Sequence, residues 1–117
     1  MAVRTIIFRG KRIDNGEWVE GSYCHAEKLD RSGDEHFIIE YSANGSSHRV
    51  DPSTVGQYTG LKDKNGKRIF ENGYMIIDKQ TYKVLFDNGE YILKNIFNCD
   101  TIQLKNNSNI GVFVDEI

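Results

Sequence analysis

Residues 74–94, YMIIDKQTYKVLFDNGEYILK, carry three short apolar runs separated by polar turns. In the middle run Tyr82, Val84 and Phe86 recur at every second position, which places them on one face of a strand. The dipeptide Asn88-Gly89 follows, and both residue types tolerate the positive φ angles that a two-residue type I′ turn needs. The stretch therefore predicts three consecutive antiparallel strands, at residues 74–78, 81–86 and 90–94.

The same turn chemistry extends through the rest of the chain. Asn-Gly occurs five times, beginning at positions 15, 44, 65, 72 and 88, and each occurrence predicts a tight hairpin turn. Runs rich in β-branched and aromatic residues lie at 5–9, 17–23, 36–41, 48–50, 101–105 and 110–114. Helix is nearly absent: only residues 51–55 predict a single 3₁₀ or α turn, with Asp51 as its cap and Pro52 at its first position.

Composition and charge exclude several classes of protein. The chain has 117 residues, of which 38% are hydrophobic and 27% are charged, and its formal net charge is −2. This balance excludes intrinsic disorder, and the lack of a long apolar run excludes a membrane span. Any binding to nucleic acid must come from a local basic patch. Because no secretion signal is recognisable and Cys24 and Cys99 are too few for a disulfide framework, we expect reduced, semi-buried thiols in a cytoplasmic protein.

Two stretches of the chain carry a family resemblance. The first comprises Phe8–Arg12, Asn15–Val19 and Gly21, and the second runs from Val50 to Glu71. Together they resemble the YopX family of bacteriophage and prophage proteins, in register over most of the chain. The resemblance implies a β-rich protein whose C-terminal part is an SH3-type roll, and it implies no known activity. After Glu71 the chain departs from the usual Gly-Asp-Ile-Val sequence of that family.

We therefore expect a mainly β protein, a small antiparallel barrel or roll with very little helix. Residues 1–60 are expected to form an N-terminal β portion, and residues 61–117 an SH3-like roll packed on it. No Pro-rich or Ser-rich linker separates the two parts, so they are expected to form one compact unit.

The residue types that commonly carry chemistry show no recognisable arrangement. The histidines and cysteines lack the short spacings of zinc sites, and the adjacent Cys24 and His25 point to opposite faces of a strand. No nucleophile motif is present, and the neighbouring acids at 34–35 and 115–116 are typical of solvated loops. We expect no metal, no cofactor and no enzymatic activity. An unrecognised hydrolase, in which a histidine meets a carboxylate or a cysteine, stays open as an alternative.

Basic clusters with aromatic neighbours are the remaining candidates for a binding site. Because interfaces concentrate aromatic residues and arginine, a protein partner or a second copy of the chain would contact Phe8, Trp18, Tyr58 and Phe70. Alternatively, basic loops on a small β-barrel can neutralise phosphates, using Arg9, Lys11, Arg12, Lys62, Lys64, Lys67 and Arg68. The alternative to both binding sites is that the aromatic rings are buried in the core and the lysines are solvated at loop tips. We expect an accessory protein that acts through protein contacts, with nucleic-acid binding as the alternative.

Overall fold

The computed structural model describes residues 6–27, 33–41 and 45–116. Within these ranges the chain is mainly β, as predicted, and forms two antiparallel sheets. The strands are β1 (Phe8–Arg12), β2 (Trp18–Ala26), β3 (Glu35–Glu40), β4 (Ser47–Lys62), β5 (Arg68–Phe70), β6 (Tyr74–Ile77), β7 (Gln80–Asp87), β8 (Glu90–Asn95), β9 (Thr101–Gln103) and β10 (Val112–Val114). Two single 3₁₀ turns, Leu104–Asn106 and Ser108–Ile110, supply the helical content of these ranges.

The chain divides into two compact units, Met1–Gln57 and Tyr58–Ile117. In the first unit β1 pairs with β2, β2 with β3, β3 with the start of β4, and the middle of β4 with β1. These pairings close a ring of four antiparallel strands. Its buried core is Val19, Ile38 and Val50, and Phe8, Tyr23 and Val55 pack against that core.

The predicted helical turn at residues 51–55 is wrong, because this segment is a bulge within β4. Lys11 pairs with Asp51 and Arg9 with Gly56, so the intervening residues of β4 bow outward opposite a single residue of β1. The Asp51 carboxylate accepts hydrogen bonds from the backbone N–H and the hydroxyl of Ser53, at 3.0 and 2.8 Å. The Lys11 N–H donates to Thr54 Oγ1 at 2.8 Å, which holds the bulge on β1. Asp51 thus forms the local bond expected of a cap, but pairing with β1 keeps the backbone extended.

The second unit contains a five-stranded sheet with strand order β10-β6-β7-β8-β9. The stretch at residues 74–94 forms its three central strands, which confirms the alternation seen in the sequence. Val84 pairs with Leu93, and both are fully buried together with Met75 on the same face. Phe113 of β10 completes this core beside Met75. The SH3-type topology stays a prediction.

The Asn-Gly dipeptides form several kinds of turn rather than one. Asn88 and Gly89 both have positive φ, 50° and 82°, as the two-residue type I′ hairpin between β7 and β8 requires. Asp78 and Lys79 do the same between β6 and β7, with φ of 50° and 66°, although neither is glycine. At Asn15-Gly16 and Asn65-Gly66 only the glycine has positive φ, in longer turns. At Asn72-Gly73 only the asparagine has positive φ, 72°, and the hairpin predicted there is wrong, because β5 and β6 belong to different sheets. Asn44 lies outside the described residues, so the turn predicted there is untested.

Cys24 and Cys99 are free thiols, and both are exposed, whereas the sequence predicted semi-buried positions. Cys24 follows Tyr23, which packs against the core, so strand alternation directs the thiol to the solvent side of β2. Cys99 lies in the loop between β8 and β9. Across the described ranges, no helix combines the length and apolar character needed to cross a bilayer.

Candidate functional site

The first basic cluster, Arg9, Lys11 and Arg12, makes several contacts within its own unit. The Arg9 side chain is only 5% exposed, and its guanidinium carbon lies 4.0 Å from the centre of the Trp18 ring. This distance is typical of a cation–π contact. Arg12 donates two hydrogen bonds to the Asp14 carboxylate, from Nε at 3.0 Å and from Nη2 at 2.7 Å. This bonding lowers the pKa of Asp14 from its ordinary value and raises the pKa of Arg12. Within this cluster, Asp14 therefore balances the charge of Arg12, and Arg9 is held against an aromatic ring.

Two shallow depressions flank Arg12 in the first unit. One, of about 520 Å³, is lined by Lys11, Arg12, Ile13, Gly16, Asp51 and Pro52. The other, of about 300 Å³, is lined by Arg12, Ile13, Asp14, Ser47, His48 and Arg49. Both linings mix acidic and basic side chains. Because opposite charges alternate over short distances, neither depression presents the uniform positive field that would concentrate phosphate groups.

The second basic cluster, Lys62, Lys64, Lys67 and Arg68, lies on the β4–β5 hairpin. Lys67 Nζ lies 3.7 Å from Asp115 Oδ1 and 5.4 Å from the centre of the Phe113 ring. The Arg68 guanidinium lies 5.5 Å from the centre of the Tyr58 ring. Lys62 and Lys64 are exposed. All four residues are exposed, and Lys67 and Arg68 also contact side chains of their own unit.

The four aromatic candidates lie inside the units more than on their surfaces. Phe70 is 2% exposed and packs against the buried Tyr58, with ring centres 5.6 Å apart. Phe8 is half-buried against the core of the first unit, and Trp18 is half-buried beneath Arg9. Tyr58 and Phe70 therefore stabilise the second unit from within. Their placement matches the core role that the sequence left open for these rings.

A polar cluster on the β2–β3 hairpin brings a histidine to a carboxylate. His25 Nε2 lies 2.9 Å from Asp34 Oδ2, and the rings of His25 and His36 stack with centres 4.6 Å apart. The Tyr23 hydroxyl hydrogen-bonds to His36 Nδ1 at 2.5 Å. Cys24 pairs with Phe37 and points to the opposite face of the strand. Hence the histidine–carboxylate pair required by the hydrolase hypothesis exists, but the neighbouring thiol is not directed towards it. Within the described ranges no three metal-ligating side chains converge.

A buried aspartate organises the hairpin at the centre of the second quoted stretch. Asp63 is 6% exposed, and its Oδ1 accepts the N–H groups of Asn65 at 2.9 Å and Lys67 at 2.8 Å. Its Oδ2 accepts the N–H of Phe113 in β10 at 2.8 Å. Burial alone would raise the pKa of Asp63, but the three N–H donors outweigh burial and lower it. The Asp63 carboxylate therefore joins the turn between β4 and β5 to strand β10.

The β8–β9 loop presents an apolar side chain that the sequence analysis missed. Asn95 is buried, its Oδ1 accepts the N–H groups of Phe97 and Asn98 at 2.9 and 3.2 Å, and its Nδ2 donates to Gln80 Oε1 at 2.8 Å. The Asp100 N–H donates to Asn98 Oδ1 at 2.9 Å. These bonds fix a loop from which Phe97 projects, 85% exposed. An Ile-Phe pair between asparagines, directly after a strand, was the available signal.

The two stretches that resemble the YopX family lie in β1–β2 and in β4 with the β4–β5 hairpin. Comparison with known proteins tests that resemblance. A search of curated proteins returned no match. The family model described as YopX protein matches residues 7–114, which is nearly the whole chain. The chain therefore belongs to the YopX family.

Proposed function

We propose that this chain is a non-enzymatic accessory protein of a bacteriophage or prophage, which acts in the cytoplasm of its bacterial host through contacts with proteins, itself included. The observation that carries the proposal is the 85% exposure of Phe97 on a loop held by hydrogen bonds. A large exposed aromatic side chain costs solubility, and in interfaces such residues supply much of the binding energy.

The construction of the β8–β9 loop favours binding. Because Asn95 and Asn98 fix the backbone on both sides of Phe97, a partner has little loop entropy to remove. Other exposed apolar side chains occur in the same unit, namely Ile76, Phe86, Ile96 and Ile110. These side chains add to the apolar surface of the second unit that a partner could contact.

Substituting Phe97→Ser is expected to reduce capture of a protein partner about tenfold or more, because an exposed anchor is removed. Its effect on stability is expected to stay within about 0.5 kcal/mol, since the side chain is exposed. The measurement is affinity capture from lysate of the host, with nuclease present, followed by quantification of each retained protein. Ile13→Ser is the matched control, because it removes an exposed apolar side chain from the first unit. Equal retention by wild type and both variants would contradict the proposal.

Nucleic-acid binding is the second candidate function, and one observation favours it. Lys62 lies directly opposite Arg68 on the hairpin, and Lys64 is exposed beside them. Three exposed positive charges close together on one hairpin create a local positive field that attracts phosphate groups. Phosphate contacts would give an affinity that falls steeply with salt. Under our main proposal, the Lys62→Glu/Lys64→Glu variant leaves DNA and RNA binding unchanged. A clear loss of salt-dependent binding in this variant would favour the alternative.

A further inference from the structure

The two central strands β7 and β8 of the second unit have a face turned away from its core. Val84 and Leu93 are fully buried, so by the alternation of strand residues their neighbours point to the opposite side. Three rows of directly paired residues make up this β7–β8 outer face: Lys83 with Lys94, Leu85 with Ile92, and Asp87 with Glu90.

Each row has a single chemical character. The first row carries two positive charges, the middle row two apolar side chains, and the last row two negative charges. Lys94 and Asp87 are exposed, and with Leu85 and Ile92 they line a depression of about 420 Å³. Like charges directly opposite each other destabilise an antiparallel pair, and this face contains two such rows. A ligand that places opposite charges on both rows would relieve both repulsions.

We propose that a second copy of this chain binds here, with the two β7–β8 outer faces packed against each other. The two-fold axis lies between the faces, runs perpendicular to the strands and passes through the Leu85–Ile92 row. Such an axis reverses the strand direction, so Lys83 faces Asp87 of the partner subunit and Lys94 faces Glu90 of the partner subunit. Leu85 and Ile92 meet their own copies at the centre.

The charge pattern selects this axis over the other simple arrangement. A two-fold axis parallel to the strands would place positive rows on positive rows and negative rows on negative rows, which is unfavourable. With the perpendicular axis, one face complements itself, as a two-fold interface requires. Because sheets packed face to face lie about 10 Å apart, opposing side chains of this size meet in the middle. The inference rests on the proposed function, for which it names the surface of self-association.

The size of the face sets the expected affinity. Strands lie about 4.8 Å apart and rise about 3.4 Å per residue. If the neighbouring strand β9 is counted together with β7 and β8, the face therefore covers roughly 14 by 24 Å. This is smaller than the roughly 800 Å² per partner of a standard interface. We therefore expect a weak, reversible dimer whose population rises with concentration.

Sedimentation velocity of the full chain, at concentrations from about 10 µM to about 1 mM, tests the proposal. We expect Lys94→Glu to weaken the dimer about tenfold or more, because the new carboxylate would face Glu90 of the partner subunit and the contact occurs twice. Glu90→Lys should weaken it similarly, and the double variant Lys94→Glu/Glu90→Lys should restore wild-type association. Lys105→Glu is the matched control, because Lys105 is exposed in the same unit but belongs to none of the three rows of the face.

Four outcomes would overturn the proposal: a chain that stays monomeric throughout, equal effects of Lys94→Glu and Lys105→Glu, failure of the double variant to recover, or loss of the dimer only in Phe97→Ser. Circular dichroism of every variant separates loss of association from loss of folding. Leu85→Ser gives an independent check, since removal of the apolar centre should also abolish the dimer. Capture of a different protein through Phe97 is measured separately, so failure of the dimer does not remove the proposed function.

Discussion

The Gly21→Ala variant is expected to lose the folded structure of the first unit, with the free energy of unfolding lowered by about 3 kcal/mol or more. A Cβ atom at this position would lie 2.0 Å from the carbonyl oxygen of Ile39 and 2.7 Å from its carbonyl carbon. Both are backbone atoms of β3. Gly21 also pairs with Phe8 on its other side, so β2 is held between two strands and cannot move away from the clash.

Urea denaturation followed by tryptophan fluorescence measures this effect, because Trp18 is the only tryptophan and lies in the first unit. Ser22→Ala is the matched control: the residue is the next one along and is exposed, so the change should stay within about 0.5 kcal/mol. A Gly21→Ala variant that unfolds at the wild-type urea concentration would show that β2 and β3 can separate without cost.

The second large effect is expected for Asp63→Ala, which should destabilise the second unit by about 3 kcal/mol or more. The substitution removes a charged acceptor from three backbone N–H groups and leaves those of Asn65, Lys67 and Phe113 without it. Chemical denaturation followed by far-UV circular dichroism would measure the loss. Retention of wild-type stability would mean that water replaces the carboxylate at little cost.

The same carboxylate predicts how stability depends on pH. The pKa of Asp63 is lower in the folded chain than its ordinary value near 4, so its contribution is fully present above that ordinary pKa. It is lost as the pH falls through the lower folded-state pKa. Asp63→Asn should therefore weaken the fall of stability below about pH 4. Parallel curves for wild type and Asp63→Asn would contradict this assignment.

Local sequence patterns predicted the strands and several of their turns. Features that depend on contacts between distant residues, such as the bulge in β4, could not be predicted from these patterns. Alternation at Tyr82, Val84 and Phe86 and the turn at Asn88-Gly89 are properties of neighbouring residues, so the β7–β8 hairpin could be predicted. The bulge after Asp51 could not, because it depends on pairing with β1, far away in the chain.

The candidate site was harder to predict for the same reason. Whether an aromatic ring faces a partner or the core depends on which residue lies opposite, and Tyr58 meets Phe70 across two strands. One of the three N–H groups that Asp63 accepts belongs to Phe113, fifty positions along the chain. Phe97 was missed because its exposure follows from the side chain of Asn95 rather than from a periodic pattern.

The ring of strands in the first unit has a consequence for how the chain acquires its structure during synthesis. The ring closes only when β1 meets β4, so its closure must wait until residues 50–57 have been synthesised. The β6–β7 and β7–β8 hairpins join neighbours through two-residue turns and can form as soon as they emerge. Three consecutive strands of the second unit can therefore pair with little delay, before the edge strand β10 joins β6.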